Sequence, residues 1–225
     1  MTVNVCVIIP VHNEEATIGR LVTAVKALGL DVVVVNDGST DGSQKEASSR
    51  GAVVLTNTSK KGKGLSLQEG FAHALRQTYS GVITMDGDGQ HDPADLKQFL
   101  NMVESYPDSV VTGNRMKGHE GMPLVRFWTN WSMSVIISWL CRQRVPDTQC
   151  GYRYIGRPVL ERMHLTSRDF EIETEVLIQA ARLGYRIHSV PIKTIYSDEK
   201  SKINPLKDTW RFFAYLIREG LRSRR

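Results

Sequence analysis

Strands and helices alternate along the first half of this 225-residue chain, and the alternation limits its fold more than any other feature. Short apolar runs, typical of buried parallel strands, are separated by stretches in which apolar residues recur at helical spacing. The predicted strands are residues 3–9, 32–35 and 52–55 and two runs beginning at Val82 and Val110; the helices include about 65–77 and 94–105. The alternation predicts an α/β fold, a mostly parallel sheet with right-handed crossovers and helices on both faces.

The first helix is predicted from its two ends. Asn13 can cap it, Glu14 and Glu15 favour its first turn, and Gly29 can end it. A dense turn cluster, residues 36–43, follows the second strand. These signals place the first loops of the sheet.

Composition excludes several classes of protein. Apolar residues make up 41% and charged residues 24% of the chain, as in a globular domain with a real core. Three scattered cysteines fit neither a disulfide framework nor a zinc site, which favours a reducing, cytoplasmic setting. We expect no signal peptide, because the chain starts without a basic segment, and no membrane-spanning helix, because it has no run of about 18 apolar residues.

Polar residues follow four of the predicted strands. They are Pro10, His12 and Glu14, then Asp37, then Asp86 and Asp88, and finally Asn114 and Arg115. Because ligands bind at the carboxyl ends of strands in open α/β sheets, we expect these groups to converge. The glycine fingerprint of dinucleotide-binding folds and the phosphate loop of nucleotide triphosphatases are absent. The Lys-Gly stretch at 60–64 fits a flexible basic turn as well as a nucleotide contact.

The strand beginning at Val82 delivers two carboxylates to this edge. Asp86 and Asp88 are separated by Gly87, and the amide of Gln90 follows. Hard oxygen donors of this kind suit Mg²⁺ or Mn²⁺, and Mg²⁺ commonly binds one or two carboxylates together with substrate phosphates. The stretch therefore predicts a metal and diphosphate site, with ordinary Asp-Gly turn chemistry as the alternative.

Two predicted helices in the second half are amphipathic. The helix at about 124–140 carries on one side what we call the tryptophan stripe, Leu124, Trp128, Trp131, Val135 and Trp139, flanked by Arg126, Arg142 and Arg144. The helix at about 206–221 places a basic stripe beside an apolar one. Both patterns fit contact with a membrane surface, and packing against the protein's own core is the alternative for each.

Glu173 stands on the apolar face of a helix predicted at 170–183. A lone buried carboxylate is costly unless it is paired, so Glu173 is expected to face a cleft or an arginine. A favourable position near the helix N-terminus explains it equally well.

Taken together, three segments resemble glycosyltransferases of family 2, which have the GT-A fold. These segments are residues 7–15, 35–41 and 86–91. Four later segments resemble the dolichyl-phosphate mannose synthase branch, which moves a sugar from a nucleotide to a polyprenyl phosphate: residues 113–115, 147–153, 170–175 and 200–203. The resemblance covers nearly the whole chain.

The resemblance implies a role for each matching residue. Pro10, His12 and Glu14 would hold the nucleoside, Val35 would wall its base, and Asp37 would hydrogen-bond it. Asp86, Gly87 and Asp88 would approach the ribose and diphosphate, and Asp88 with Gln90 would bind the metal. Arg115 would bridge the donor and acceptor phosphates, Arg126 and Lys202 would bind the lipid phosphate or the diphosphate, and Glu173 would contact the sugar or acceptor. The chain departs from the family pattern at two positions. His12 stands where many relatives have tyrosine, and Tyr196 stands where the archetypal mannose synthases have arginine.

The resulting hypothesis is an inverting, metal-dependent transferase that moves mannose from GDP-mannose to a polyprenyl phosphate on the cytoplasmic face of a membrane. Residues 1–225 would form one domain, with a nucleotide-sugar half at 1–115 and an acceptor half at 116–225. UDP-glucose or UDP-N-acetylhexosamine as donor, or a saccharide as acceptor, is the first alternative. A nucleic-acid-binding module is the alternative from another class, because basic residues are concentrated after residue 199, although no nucleic-acid motif is present.

Overall fold

The computed structural model describes residues 4–116, 124–193 and 195, and only the backbone of residues 124–126. Its strands are β1 Val5–Val11, β2 Asp31–Asp37, β3 Val53–Asn57, β4 Gly81–Thr84, β5 Val110–Asn114, β6 Arg153–Gly156 and β7 Ile187–Pro191. Its helices are α1 Glu15–Ala27, α2 Ser43–Ser49, α3 Lys63–Leu75, α4 Leu96–Ser105, α5 Leu124–Cys141, α6 Arg157–Arg162 and α7 Ile172–Arg182, with a 3₁₀ turn at Pro93–Asp95.

The strands form one seven-stranded mixed sheet in the order β3-β2-β1-β4-β6-β5-β7. Strand β6 runs antiparallel to both neighbours, and the remaining pairs are parallel. The mostly parallel sheet predicted from the sequence is confirmed. Because β6 is reversed, its first residue, Arg153, pairs with Thr84 and Thr112 near the carboxyl ends of β4 and β5. The segment before β6 therefore arrives at the same edge as the predicted site.

Both faces of the sheet are covered by helices. Helices α1, α2 and α4 pack on one face, where Val34 belongs to the core. Helices α3, α5, α6 and α7 pack on the other, where the core includes Val35. Neighbouring residues of β2 thus point to opposite faces, as the twofold repeat of a strand requires.

The start of α1 differs from its prediction. Asn13 does not cap the helix: its φ is +57°, and its side-chain oxygen accepts a hydrogen bond from the backbone N–H of Thr40 at 2.8 Å. The helix starts at Glu15 without a side-chain cap, whereas Gly29, with φ of +75°, does follow its end as expected. Asn13 instead ties the first loop to the second, a long-range contact that local sequence does not reveal.

Helix α5 confirms the prediction at 124–140. Trp128, Trp131, Val135 and Trp139 are 60%, 49%, 50% and 78% exposed, so the tryptophan stripe lies at the surface and the core alternative is wrong for these four residues. In the part of the chain described, no helix is long and apolar enough to span a membrane. The helix predicted at 206–221, Tyr196 and Lys202 lie outside the described residues.

Candidate active site

A lysine joins two of the predicted acidic residues at the carboxyl edge of the sheet. Lys63, the first residue of α3, places its Nζ 2.5 Å from Asp86 Oδ1 and 2.6 Å from Glu173 Oε1. Burial alone would lower the pKa of Lys63, but the two carboxylates outweigh burial and raise it, so the group is an ammonium ion. We call Asp86, Asp88 and Glu173, together with Lys63, the carboxylate cluster.

Glu173 meets the expectation that a buried carboxylate needs a partner. It is 7% exposed, and its partner is Lys63 rather than an arginine. Arg153 is also near, but its guanidinium donates to the backbone carbonyl of Glu173. Glu175, two residues after Glu173 on α7, is fully buried. Its carboxylate accepts hydrogen bonds from the backbone N–H groups of Thr166 and Ser167. Glu175 therefore fixes the loop before α7, and Glu173 faces the cluster.

The two aspartates after β4 have different electrostatic environments. Burial alone would raise the pKa of Asp86, but the charges of Lys63 and His91 outweigh it and lower the pKa to about 2. For Asp88, burial and then the charge of Asp86 raise the pKa. Asp88 Oδ1 also accepts a hydrogen bond from the backbone N–H of Gln90 at 3.0 Å. A cation beside Asp88 would relieve the repulsion between the two carboxylates.

The donor set fits Mg²⁺ or Mn²⁺ bound together with a phosphorylated substrate. In the described ranges, no three His, Cys, Asp or Glu residues form a group that would hold a metal ion by themselves. Mg²⁺ usually takes one or two carboxylates and completes its shell with water and phosphate oxygens. Asp88 beside Asp86, with Gln90 in the same turn, offers that kind of partial shell.

Two glycines let backbone segments approach the cluster. A Cβ added at Gly151 would lie 2.7 Å from both carboxylate oxygens of Asp86 and 2.9 Å from Lys63 Nζ. One added at Gly87 would lie 2.8 Å from a methyl carbon of Val11, near the carbonyl of Pro10 and the side chain of Glu14. The segment before β6 and the end of β1 therefore close on the carboxylates from two sides.

The remaining residues assigned to the nucleoside lie along the ends of β1 and β2. Asp37 is 4% exposed, and its carboxylate accepts hydrogen bonds from the backbone N–H groups of Lys61 and Gly62 at 2.8 and 2.9 Å. Nδ1 of His12 lies 2.8 Å from the backbone carbonyl of Asp37. Val35 is fully buried in the core, so its side chain does not line an open surface. Asp37 thus holds the loop that presents Lys63.

Arg115 lies at the same edge in a closed ion pair. Its Nε and Nη2 donate to the carboxylate of Asp147 at 2.7 and 2.9 Å, and its backbone N–H donates to Asp147 at 3.2 Å. Asp147 is fully buried; burial alone would raise its pKa, but the charge and hydrogen bonds of Arg115 lower it. The predicted contact of Arg115 with two phosphates stays a prediction. The same holds for Arg126, whose backbone alone is described, and for Lys202.

Sequence reasoning missed two members of this edge, Lys63 and Asp147. Lys63 lies in the Lys-Gly stretch at 60–64, whose sequence fits a flexible basic turn at least as well as a nucleotide contact. Its position at the start of a helix after β3 was the available signal. Asp147 belongs to the segment 147–153 that carries the family resemblance, but nothing in the sequence pairs it with Arg115, which lies 32 residues away.

The chain resembles known proteins in both sequence and fold. The family model described as glycosyl transferase family 2 matches residues 6–157. The undecaprenyl-phosphate mannosyltransferase of Micrococcus luteus is 33% identical over 202 residues, 84% of this chain and 82% of that protein. The UDP-N-acetylglucosamine–dolichyl-phosphate N-acetylglucosaminyltransferase of Methanococcus voltae is 28% identical over 214 residues, 85% of each chain. Mycobacterium tuberculosis glucosyl-3-phosphoglycerate synthase, solved with Mn²⁺, UDP and phosphoglyceric acid, superposes with a TM-score of 0.72 at 20% identity over 93% of this chain and 74% of that one.

Proposed function

The chain belongs to glycosyltransferase family 2 and has a GT-A-like fold, and from this premise we propose that it transfers mannose from GDP-mannose to a polyprenyl phosphate with inversion. The observation that carries the proposal is the ion pair between Lys63 and Glu173 at the site edge. Family membership argues against the nucleic-acid-binding alternative.

The ion pair bears on the acceptor. A saccharide hydroxyl needs a general base, whereas a lipid phosphate is already ionised near neutral pH and only has to be positioned for attack. Glu173, the buried glutamate of the carboxylate cluster, is held by Lys63 at 2.6 Å, which suits a structural or sugar-binding role better than that of a free base. The name of the Micrococcus relative supports the same acceptor class.

The donor is the less constrained part of the proposal. The Micrococcus relative is named as a mannosyltransferase, which favours mannose. The Methanococcus relative is named for UDP-N-acetylglucosamine, and the mycobacterial structure contains UDP. A UDP-sugar donor is therefore the second candidate, with the same site and the same acceptor.

We further propose that Mg²⁺ or Mn²⁺ is bound by Asp88 with Gln90, while Asp86 faces the ribose. When bound, the ion would neutralise charge on the departing nucleotide diphosphate. Lys63 keeps Asp86 ionised and oriented, and Gly151 leaves room for both side chains. If Asp88→Ala retains full metal dependence of nucleotide-sugar binding, the assignment of Asp88 is wrong.

The acceptor's location also enters the proposal. Trp128, Trp131 and Trp139 are exposed along α5, and tryptophan favours the headgroup level of a bilayer. We propose that α5 rests on the cytoplasmic surface of a membrane, with Arg126 and Lys202 near the acceptor phosphate. In this arrangement the protein reaches a lipid acceptor by lying against the bilayer.

One assay tests donor and acceptor together. Radiolabelled GDP-mannose, UDP-glucose and UDP-N-acetylglucosamine are each incubated with a short polyprenyl phosphate, with and without Mn²⁺. We expect a mannosyl lipid product that requires the metal. A product from a UDP-sugar alone would move the proposal to its second candidate, and transfer only to a saccharide would overturn it.

A variant of Glu173 tests the acceptor class independently. Under the lipid-phosphate proposal, Glu173→Gln weakens transfer roughly 10-fold, whereas loss of a general base costs about 100-fold or more. The matched control is Glu161→Gln, whose carboxylate is exposed in an ion pair with Arg157. A loss beyond about 100-fold for Glu173→Gln alone would indicate a saccharide acceptor.

A further inference from the structure

A second concave surface lies at the edge of the sheet opposite the carboxylate cluster. It is a cleft of about 700 Å³ between the loop before β5, the end of α5 and the start of β7. We call it the arginine cleft, after the side chains that dominate its lining: Tyr106, Arg142, Arg144, Tyr185, Arg186 and His188. None of the residues predicted from the sequence to bind substrate lines it, so the proposed transfer reaction leaves it without a role.

The cleft carries uncompensated positive charge. Arg142, Arg144 and Arg186 line it, and Asp108 is the acidic residue among the lining side chains. Across the described part of the chain, none of these three arginines is within salt-bridge distance of a carboxylate. The charge of Arg186, after burial, also helps to lower the pKa of His188. A site with this charge attracts an anion.

The cleft also contains an unused hydrogen-bonding atom. The ring of His188 stacks on Tyr106 with 4.0 Å between ring centroids. Its Nε2 is buried and has no hydrogen-bond partner in the ranges that the structure describes. Buried polar atoms are nearly always paired in proteins, so an unpaired atom on a residue that lines the same cleft as three arginines marks a place for a polar ligand group.

The local backbone holds the walls of the cleft together. Arg142 has a φ of +50°, uncommon for a residue with a side chain, and its N–H donates to the carbonyl of Trp139 at 3.2 Å. The side chain of Gln143 donates to the carbonyl of Tyr185 at 2.9 Å and accepts from the N–H of Ile187 at 3.0 Å. The end of α5 and the start of β7 are therefore joined, so the arginines on either side are presented from one framework.

The cleft continues the tryptophan stripe. Trp139, 78% exposed, lies three residues before Arg142, and Leu140 beside it is 41% exposed. Exposed aromatic residues followed directly by arginines match a bilayer surface, where rings sit at headgroup depth and cations meet lipid phosphates. Helix α5 has 18 residues, so about 27 Å separate the cleft from the active-site end of the helix. The arginine cleft is therefore distinct from the proposed acceptor phosphate site, which lies near Arg126 at the other end of α5.

We propose that the arginine cleft binds the phosphate of an anionic membrane lipid that is not the sugar acceptor. The proposal rests on the proposed membrane contact of α5. The lipid phosphate pairs with Arg142, Arg144 and Arg186, and a headgroup hydroxyl reaches His188. Binding at this end and acceptor binding at the other keep α5 parallel to the membrane, so the active site stays at the lipid surface.

Vesicle sedimentation of the full chain tests the proposal. We compare phosphatidylcholine vesicles with equimolar phosphatidylcholine and phosphatidylglycerol, using Arg142→Gln/Arg144→Gln/Arg186→Gln. Because each cation near an anionic surface contributes about 1 kcal/mol, the loss of three cations should weaken binding to the anionic vesicles roughly 100- to 200-fold. Binding to the neutral vesicles should not change. Transfer to a short polyprenyl phosphate without vesicles should also match the wild type.

The control removes three exposed cations on the other face of the sheet, with Lys45→Gln/Arg50→Gln/Lys97→Gln. Lys45 and Lys97 lie on α2 and α4, and Arg50 directly follows α2. These lie away from the proposed membrane surface, so salt screens them and binding should fall less than about threefold. An equal loss in both variants would show a general charge effect and overturn the cleft. Calorimetric titration with inorganic phosphate and glycerol 3-phosphate separates the sources: binding of these as strong as binding to anionic vesicles overturns a lipid ligand.

Two outcomes separate this proposal from the proposed function. If Trp128→Ser/Trp131→Ser binds vesicles as the wild type does, membrane contact through α5 fails and the cleft proposal fails with it. If the wild type transfers no sugar while the cleft variant alone loses anionic binding, the transfer proposal fails and the cleft proposal stands.

Discussion

Two ionic groups at the same edge of the sheet differ in how fully their charges are compensated. Arg115 and Asp147 form a one-to-one pair whose side chains are 8% and 0% exposed. The carboxylate cluster sets the single cation of Lys63 among Asp86, Glu173 and the adjacent Asp88, with the Asp86 side chain 27% exposed. The first group is electrically complete, whereas the second keeps negative charge that faces solvent.

The difference separates structural charges from charges available to a ligand. The Arg115–Asp147 pair joins the end of β5 to the segment that leads into β6, and it satisfies both groups without any ligand. The carboxylate cluster is satisfied only in part, since Asp88 has a raised pKa beside Asp86. In the proposed function, a cation and a diphosphate would complete the second group. A phosphate at Arg115 would have to share that guanidinium with Asp147.

Breaking the closed pair should have the largest effect. Asp147→Ala leaves the Arg115 guanidinium buried without its carboxylate, and removal of one partner of a buried ion pair costs about 3–5 kcal/mol. We expect the free energy of unfolding, measured by urea titration with circular dichroism, to fall by that amount.

The control for this variant is an exposed ion pair. Glu161→Ala removes the partner of Arg157, where the side chains are 51% and 32% exposed, and should cost at most about 1 kcal/mol. An equally small loss for Asp147→Ala would contradict the view that this pair supports the fold.

Removing the cation of the open group should cost less and should be partly reversible. Lys63→Gln leaves Asp86 and Glu173 without their shared partner, a loss of about 1–3 kcal/mol for buried groups deprived of a bond. Because the variant has more uncompensated negative charge, Mg²⁺ should restore part of the stability, and NaCl of equal ionic strength should not. The measurement is urea unfolding with each salt.

Lys61→Gln is the matched control for this second variant. Lys61 pairs with Glu69 at 2.7 Å, but both side chains are more than a third exposed, so we expect a loss below about 1 kcal/mol and no response to Mg²⁺. If Mg²⁺ stabilises Lys63→Gln no more than Lys61→Gln, the carboxylate cluster does not bind a cation in place of Lys63.

The contrast also explains what the sequence could predict. The position of Asp86 and Asp88 followed from local pattern, because an apolar run ending in carboxylates places them at a strand end. Helix α5 was equally local, and its predicted range of 124–140 differs by one residue from Leu124–Cys141. Each of these features depends only on neighbours in the chain.

What the sequence did not reveal depends on distant neighbours. Lys63 and Glu173 are 110 residues apart, and Arg115 and Asp147 are 32 apart, so no periodicity links them. The reversed strand β6 has the same cause, since its direction depends on the return of residues 145–152 along α5, where Val145 and Thr148 bond Ser138 and Ser134. Fold class was predictable from pattern, but charge compensation required the folded chain.

The smallest expected effect is the loss of stability at low pH that comes from the Arg115–Asp147 pair. In the folded protein the pKa of Asp147 lies below its ordinary value of 3.8, because the charge and hydrogen bonds of Arg115 outweigh burial. On acidification the unfolded chain therefore binds the proton first. This stabilisation is fully present above about pH 5 and is lost as the pH falls through the lowered pKa of the folded protein. The Asp147→Asn variant has no carboxyl group at this position, so its stability does not change through protonation there. We therefore expect the difference in unfolding free energy between wild type and Asp147→Asn to be constant above about pH 5 and to shrink towards about pH 3. Urea titrations at each pH measure it, with Glu161→Gln as an exposed control; a difference that grows on acidification would mean that Arg115 does not keep Asp147 ionised.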